Sequence, residues 1–308
     1  MAMARDQFAW VDVGAIGYPY LHKRVIELTT PALRLKQLLP DYVIPVGAGR
    51  TATFPKQKGS RTIALQQISE GSIIPQDYTP YDSITITPYK VGRAIRITRE
   101  LLEDAVPNVV EDQLRRLARI AAYTIDKDIQ LTLDAASLSA NTFSATGTSV
   151  FYTGTVTSIA GSIGVNDLTK SKALLENLNL IADAVALNPT QVAQLSQIPQ
   201  FASQEIFGQA VYNTGEQWES GKAPEWYGLT PIITPVVPAG VAYILASGRN
   251  LSAAYAPLGA FVIKRNFSVD VTRVAREDVY DLTVTMRYAP VVLYSESIVK
   301  LQGLATSL

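Results

Sequence analysis

Residues 83–105 read SITITPYKVGRAIRITRELLEDA, and within this stretch a strand pattern gives way to a helix pattern. Polar and apolar side chains alternate from Ser83 to Thr87 and again from Ile95 to Thr98, which is typical of β-strands. Thr98 also suits the N-cap of a short helix, because its hydroxyl can accept a backbone N–H bond from the first turn. The stretch therefore predicts strands that lead directly into a helix.

Upstream of this stretch the chain has the pattern of a polar ribbon. Strand-like residues begin near Arg50, and turn signals follow at Lys58-Gly59-Ser60 and at Glu70-Gly71-Ser72. The simplest interpretation is a long two-stranded excursion over residues 50–97. An isolated hairpin is marginally stable in water because it buries little apolar surface. We therefore expect the ribbon to lie on another surface.

Downstream, a second and longer helix is predicted to begin near Pro107, a residue that suits the first helical turn, and to end near Leu133. Its apolar residues recur at spacings of three to five, which predicts one buried face. They are Leu114, Leu117, Ile120, Ala121, Ile125, Ile129 and Leu133. At 1.5 Å per residue such a helix is about 40 Å long.

The rest of the chain predicts an arm, a second unit and a long hairpin. Four prolines within residues 1–49 predict an extended arm with one short helix. Residues 136–165 are rich in Ser, Thr, Ala and Gly and predict a loop between units. A helix over 166–179, a strand over 181–187 and a helix from Asn188-Pro189 predict an α+β unit. Alternation on both sides of a charged turn at 276–278 predicts the hairpin, closed by a strand over 297–301.

Composition excludes several classes of protein. The chain has 308 residues, is 47% hydrophobic and contains no cysteine, which excludes disulfide frameworks, thiolate nucleophiles and zinc–cysteine clusters. Lys plus Arg and Asp plus Glu each number 27, so no overall charge attracts nucleic acid or an anionic membrane. The first twenty residues lack the apolar core of a secretory signal. The longest apolar stretch, residues 229–246, is interrupted by prolines, so no transmembrane helix is expected.

The motifs that could support catalysis or cofactor binding are weak. His22 is the only histidine, so a catalytic triad or a multi-histidine metal site has little support. Residues 47–52, GAGRTA, resemble a dinucleotide-binding turn but precede a strand instead of a helix, which favours a flexible joint. Residues 215–223, GEQWESGKA, resemble a phosphate loop with one residue too many and with Ala223 in place of the magnesium-binding Ser or Thr. We therefore predict no catalytic, cofactor-binding or metal-binding residues.

Two charged groups near the helix starts have structural interpretations. Glu100, Glu103 and Asp104, with Glu111 and Asp112 beyond them, could form an acid–base or metal cluster. Acidic residues in the first turns of helices are better explained by their favourable interaction with the helix dipole.

Arg93, Arg96 and Arg99 form a basic run, which most often is a solvated face and sometimes a contact surface. A nucleic-acid interface would need interleaved aromatic residues on a helix or sheet, and this run does not show them.

The order of these elements resembles the major capsid proteins of tailed phages and archaeal viruses of the Hong Kong 97 type. The resemblance rests on residues 69–75, 83–92 and 97–105, on 181–189, 226–233 and 238–242, and on the final hairpin, 261–301. It implies an α+β fold with an N-terminal arm, an extended E-loop, a peripheral (P) domain with a long spine helix and a long β-hairpin, and an α+β axial (A) domain. It covers roughly residues 40–303, and it divides the chain as follows: arm 1–49, E-loop 50–97, spine helix 98–135, connecting loop 136–165, A domain 166–254 and C-terminal P-domain strands 255–308.

The resemblance implies a non-enzymatic shell protein that assembles with itself, as hexamers and pentamers, into an icosahedral capsid around double-stranded DNA. Expected partners are a portal and a separate scaffolding or decoration protein, with no membrane; the shell is assembled in the host cytoplasm and remains in the virion. We expect the E-loop to reach a neighbouring subunit, no cross-linking of Lys56 or Lys58 to Asn266, no loss of an N-terminal segment on maturation, and DNA contained without base contacts. Alternatives are an encapsulin-type nanocompartment of the same fold and, from a different class, an enzyme that binds phosphate through residues 215–222.

Overall fold

Three β-sheets, a long helix and two shorter helices make up the described part of a computed structural model of the chain. The structure describes residues 33–57, 67–70, 74, 81–100, 109–137, 142–144, 161, 163–196, 228–248 and 258–306. The strands are β1 (Asp41–Val43), β2 (Ala52–Gln57), β3 (Tyr81–Ile86), β4 (Tyr89–Thr98), β5 (Thr142–Ser144), β6 (Ala184–Leu187), β7 (Thr230–Ile233), β8 (Val241–Leu245), β9 (Gly259–Val274), β10 (Val279–Val292) and β11 (Ile298–Gln302). The helices are α1 (Val109–Ala136), α2 (Val165–Asn177) and α3 (Pro189–Ser196), and a 3-10 turn spans Leu35–Leu38.

The long hairpin predicted near the end of the chain is formed by β9 and β10. It is the centre of a four-stranded sheet in the order β1-β9-β10-β4, in which β1 runs parallel to β9. Apolar residues alternate along both strands, so one face of the hairpin, including Val269 and Val284, is buried. Gly259 begins β9 with a φ of +154°, and a Cβ there would lie 2.0 Å from the Val291 carbonyl oxygen. Only glycine permits this close approach of the two strands.

Helix α1 packs across the buried face of this sheet. Its 28 residues confirm the predicted long helix, with bounds two to three residues later than expected. Leu117, Ile125, Ile129 and Leu133 are buried in one core with residues of β9 and β10. The spacing of four to eight residues keeps these side chains on one face of the helix.

The second sheet is five-stranded, in the order β5-β11-β8-β6-β7, and it separates two cores. Along β6, Ala184 and Ala186 lie in the core shared with α1, whereas Val185 and Leu187 lie in the core formed with α2 and α3. All four residues are buried. A strand that is covered on both faces is an uninterrupted apolar run, as this one is.

The structure corrects two strand assignments made from the sequence. The strands around Ile84 and Ile95 do not form one ribbon: β3 pairs with β2, whereas β4 pairs with β10 over ten residues. Pro88 lies between β3 and β4, where it can end the first pairing because it has no backbone N–H donor. The closing strand β11 does not extend the hairpin sheet but pairs with β8. Both of its faces are covered there, with Ile298 in one core and Val299 in the other.

Candidate assembly surfaces

The root of the ribbon is anchored on the chain's own hairpin. Strands β2 and β3 pair over six residues, from Ala52 opposite Ile86 to Gln57 opposite Tyr81. On one face Ala52 and Phe54 are buried in a small core with residues at the base of β9 and β10. On the other face the hydroxyls of Thr53 and Thr85 lie 3.2 Å apart and are exposed. The ribbon is therefore fixed at its root and presents a polar face.

Exposed apolar side chains lie on β1, on the turn after it, and at the end of the ribbon away from its root. Val43 and Val46, at the edge strand β1 and the turn after it, are 63% and 102% exposed, and Tyr81 on the ribbon is 72% exposed. Such side chains occur singly on many surfaces, but Val43 and Val46 lie at a sheet edge, where β1 has a neighbour on one side only among the described strands. This arrangement suits burial against another chain.

Three aspartates of α1 hold three different parts of the chain. The first, Asp126, is 2% exposed and accepts the backbone N–H groups of Arg34 at 2.9 Å and Leu35 at 3.1 Å. Burial raises the pKa of this carboxyl, although the backbone N–H bonds oppose the shift. Leu35 and Leu38 are fully buried beside it. Asp126 thus caps the 3-10 turn of residues 35–38 and fixes it on α1.

The second aspartate, Asp128, holds the four-stranded sheet. Its Oδ2 accepts the hydroxyls of Tyr89 at 2.9 Å and Tyr288 at 2.6 Å. Burial, followed by the hydrogen bonds to Asp128, raises the pKa of both tyrosines above the ordinary range. Both hydroxyls therefore remain protonated donors at neutral pH.

The third aspartate, Asp134, holds the five-stranded sheet. It accepts the hydroxyl of Tyr243 at 3.0 Å and is bridged by the ammonium group of Lys300. Burial acts to raise the pKa of Asp134, but the bonds from Lys300 and Tyr243 outweigh it, and the pKa is lowered. The side chain of Gln130 donates to the same tyrosine at 3.2 Å. These contacts attach strands β8 and β11 to the C-terminal half of α1.

The far end of the long hairpin carries a network of ion pairs. Arg96 on β4 bridges Glu277 and Asp281, while Arg99 and Arg273 both approach Asp278. The bond to Asp281 raises the pKa of Arg96 and lowers the pKa of Asp281. Exposed ion pairs contribute little to stability, so this network adds little to the stability of the hairpin.

The structure separates the basic run predicted from the sequence. Arg96 and Arg99 lie in the tip network, whereas Arg93 lines a cavity of 240 Å³ between β4 and α1, together with Ile120 and Thr124. The three arginines are close together in the sequence, but side chains alternate along a strand, so Arg93 and Arg96 lie on opposite faces of β4.

The other sequence-predicted sites are placed only in part. Gly47 and Gly49 have φ values of +90° and +84°, in the turn between β1 and β2, and no helix follows them. His22, Glu103, Asp104 and residues 215–223 lie outside the described residues, as do the side chains of Glu111 and Asp112. Glu100 lies two residues after the end of β4, where the chain is already helical, and is exposed.

Of the residues considered for cross-linking, Lys56 lies 5.4 Å from the ring centroid of Tyr294, and the side-chain oxygen of Asn266 accepts the backbone N–H of Phe267. Lys58 lies outside the described residues.

Among the described residues, no three His, Cys, Asp or Glu side chains are grouped so that they could hold a metal ion. A search of the same residues finds no helix with the length and apolar character needed to span a membrane.

Comparison with known proteins identifies the architecture. A family model described as phage capsid protein matches residues 81–301. The chain is similar to the capsid of cyanophage P-SCSP1u, with a TM-score of 0.61 and 16% identity, covering 87% of each chain. It is also similar to a virus-like particle from Pyrococcus furiosus, with a TM-score of 0.60 and 13% identity over 94% of this chain and 100% of the other. The holo-SrpI encapsulin complex from Synechococcus elongatus gives a TM-score of 0.58 at 13% identity, over 91% and 90% of the two chains.

A sequence comparison with curated proteins finds no match. The family model nevertheless spans well over half of the chain, and the structural similarities confirm the predicted α+β fold of the Hong Kong 97 type. The family and the fold are those of structural proteins that form shells. This chain belongs to the phage capsid protein family.

Proposed function

We propose that this chain is the major capsid protein of a tailed phage, which assembles as hexamers and pentamers into an icosahedral shell around double-stranded DNA. The observation that carries the proposal is the ribbon of β2 and β3, which is anchored at its root and presents exposed side chains beyond it. A two-stranded ribbon is marginal in water, so the exposed end of the described ribbon, away from its root, is proposed to contact a second subunit.

The contacts of α1 support a rigid building block. Three aspartates of α1 each attach a different part of the chain to this helix. Asp126 attaches the 3-10 turn of residues 35–38, which we call the arm root, Asp128 attaches the four-stranded sheet, and Asp134 attaches the five-stranded sheet. A shell subunit needs this rigidity because small changes in the angle between subunits alter the curvature of a closed shell. The division into arm, E-loop, P domain and A domain is part of the proposal, with β4 assigned to the P-domain sheet and β11 to the A-domain sheet. A portal and a scaffolding or decoration protein are the proposed partners, with assembly in the host cytoplasm.

The second candidate is the shell of an encapsulin-type nanocompartment. The similarity to the Synechococcus encapsulin complex favours it about as strongly as the cyanophage similarity favours a capsid. The two functions differ in content, because a capsid encloses a genome and a nanocompartment encloses protein.

Electron microscopy and analysis of particle contents test both candidates. Particles purified from the cells that produce them are treated with nuclease and then opened. Icosahedral particles that protect double-stranded DNA support the capsid function, whereas particles that hold protein cargo and no DNA support the nanocompartment. A small oligomer that never forms particles contradicts both.

A shortened ribbon tests the role of the E-loop. Because Gln57 pairs with Tyr81, replacing residues 58–80 with Asn-Gly closes the two strands through a two-residue turn. The variant keeps the buried root and is expected to fold as a monomer or capsomer that does not form shells. A matched control replaces exposed Thr53 and Thr85 with serine, which changes the ribbon face without shortening it. Shell formation by the shortened variant at the wild-type yield would contradict the proposal.

A further inference from the structure

Two arginines on the solvent-facing side of α1 have no acidic partner among the side chains that the structure describes. Arg116 and Arg119 are exposed, and Tyr123, one turn further on, is 57% exposed. These residues follow at spacings of three and four, so they lie on one face of the helix. Arg93 on β4 adjoins this face, since it lines the same cavity as Ile120 and Thr124. We call Arg93, Arg116, Arg119 and Tyr123 the basic face.

The acidic residues of α1 whose side chains are described bond within the subunit. In the part of α1 whose side chains are described, the acids are Asp126, Asp128 and Asp134. Asp126 binds backbone N–H groups, Asp128 binds two tyrosine hydroxyls and Asp134 binds Lys300. Strand β4 contains no acid. Within the described residues, the basic face is therefore a local positive surface on a chain with 27 basic and 27 acidic residues.

The chemistry of this face fits phosphate groups. Guanidinium groups bind phosphate through paired N–H donors, and a tyrosine hydroxyl can add a further bond. From Arg116 to Tyr123 the helix rises about 10 Å, which is close to the ~12 Å width of the major groove of B-form DNA. Side chains spaced in this way can contact the phosphates that border a groove without reaching the bases.

We propose that the basic face lies on the interior of the shell and binds the phosphate backbone of double-stranded DNA without sequence preference. The inference rests on the proposed function, because it requires a shell with DNA inside. A small number of contacts per subunit keeps the binding of one subunit weak and lets DNA move along the wall. A contact between subunits is the competing explanation, because Arg and Tyr are also enriched at protein interfaces, and the salt dependence of DNA binding distinguishes the two.

The salt dependence of DNA binding tests the proposal on the full chain. The probe is a 30-base-pair duplex of mixed sequence, and fluorescence anisotropy gives the affinity between 25 and 200 mM salt. In one variant, Arg93, Arg116 and Arg119 are all replaced by glutamine. A control variant replaces Arg50, Lys90 and Arg276 by glutamine; it removes the same charge from exposed positions elsewhere. A third variant carries lysine at the three arginine positions of the basic face.

Each phosphate contact contributes about 0.9 to the slope of log affinity against log salt. We expect the glutamine variant of the basic face to lower that slope by about 2 to 3, and the control and lysine variants to keep it. Equal slopes for the glutamine variant and the control would overturn the proposal, as would the absence of measurable wild-type binding at 25 mM salt.

Electron microscopy of the same preparations separates this inference from the proposed function. If shells form normally and the salt slope of the glutamine variant equals that of the wild type, only this inference is rejected. Loss of shells in the glutamine variant with an unchanged slope identifies the face as a contact between subunits, which also rejects it. If the wild-type chain forms no shells but its slope depends on the basic face, the capsid function and the interior location both fail, and only the binding of phosphate by the basic face stands.

Discussion

Replacing Asp126 with alanine tests how firmly the arm root is held on α1. The carboxylate accepts the backbone N–H groups of Arg34 and Leu35 and is 2% exposed. A buried N–H group that loses its partner costs about 1–3 kcal/mol. Arg34 is exposed, so water can replace its bond, and the Leu35 N–H carries most of the cost. Burial raises the pKa of Asp126, so removing the carboxyl recovers part of its desolvation. The net loss is about 2 kcal/mol, or roughly thirtyfold in the opening of the arm root.

Limited proteolysis measures this opening. Trypsin cleaves after Arg34, within the bonded segment, and after Lys36, just beyond it, and mass spectrometry identifies the products. We expect cleavage at these sites to be about thirty times faster in the alanine variant when it is limited by opening. Asp167→Ala is the matched control, because Asp167 also accepts a backbone N–H, that of Gly164, but does so in α2. Wild-type rates in the Asp126 variant, or an equal increase in the Asp167 variant, would refute the assignment.

Three further predictions concern the hairpin, the contacts of Asp134 with Tyr243 and Lys300, and the proposed absence of cross-links. Gly259→Ala is expected to lower the free energy of unfolding by about 3 kcal/mol or more, since the new Cβ meets Val291. Gly49→Ala is the control, because a Cβ at Gly49 has no atom within 4 Å. Equal melting temperatures for the two variants would contradict the explanation. Because the pKa of Asp134 is lowered in the folded protein, its contribution to stability is present above the unfolded pKa of about 4 and is lost as the pH falls through the folded pKa. Asp134→Asn should therefore reduce the loss of stability at acidic pH. Parallel curves of stability against pH for the variant and the wild type would argue against this. Boiling particles in detergent should give one monomer band, whereas a ladder would show cross-linking through Lys56, Lys58 or another lysine.

The sequence predicted the elements that are defined by their own periodicity. Alternation in β9 and β10 and three-to-four spacing in α1 require only that one face be buried, and the structure confirms these elements. The pairing of β4 and β11 could not be predicted in the same way. Alternation shows that a strand has a covered face, but it does not show which strand lies beside it. Both strands therefore were assigned to their neighbours in sequence, and both pair with distant strands.

The contacts of the aspartates lay beyond sequence reasoning for a related reason. Asp126 binds backbone N–H groups some ninety residues earlier, and Asp134 binds Lys300, 166 residues later. Nothing in the local pattern of α1 distinguishes these carboxylates from solvated ones, because their partners are brought close only by the tertiary fold.

This same inward use of acids explains how a neutral chain can carry a local positive surface. Over the whole sequence 27 acidic residues balance 27 basic residues, and the sum predicts no attraction to a polyanion. A field at the surface depends on where charges lie and how far solvent screens them, within about 10 Å at ordinary salt. The aspartates of α1 whose side chains are described bond inside the subunit, so they do not offset the charge of Arg116 and Arg119 on the outer side. The charge that matters to a partner is therefore that of the helix face and not that of the chain.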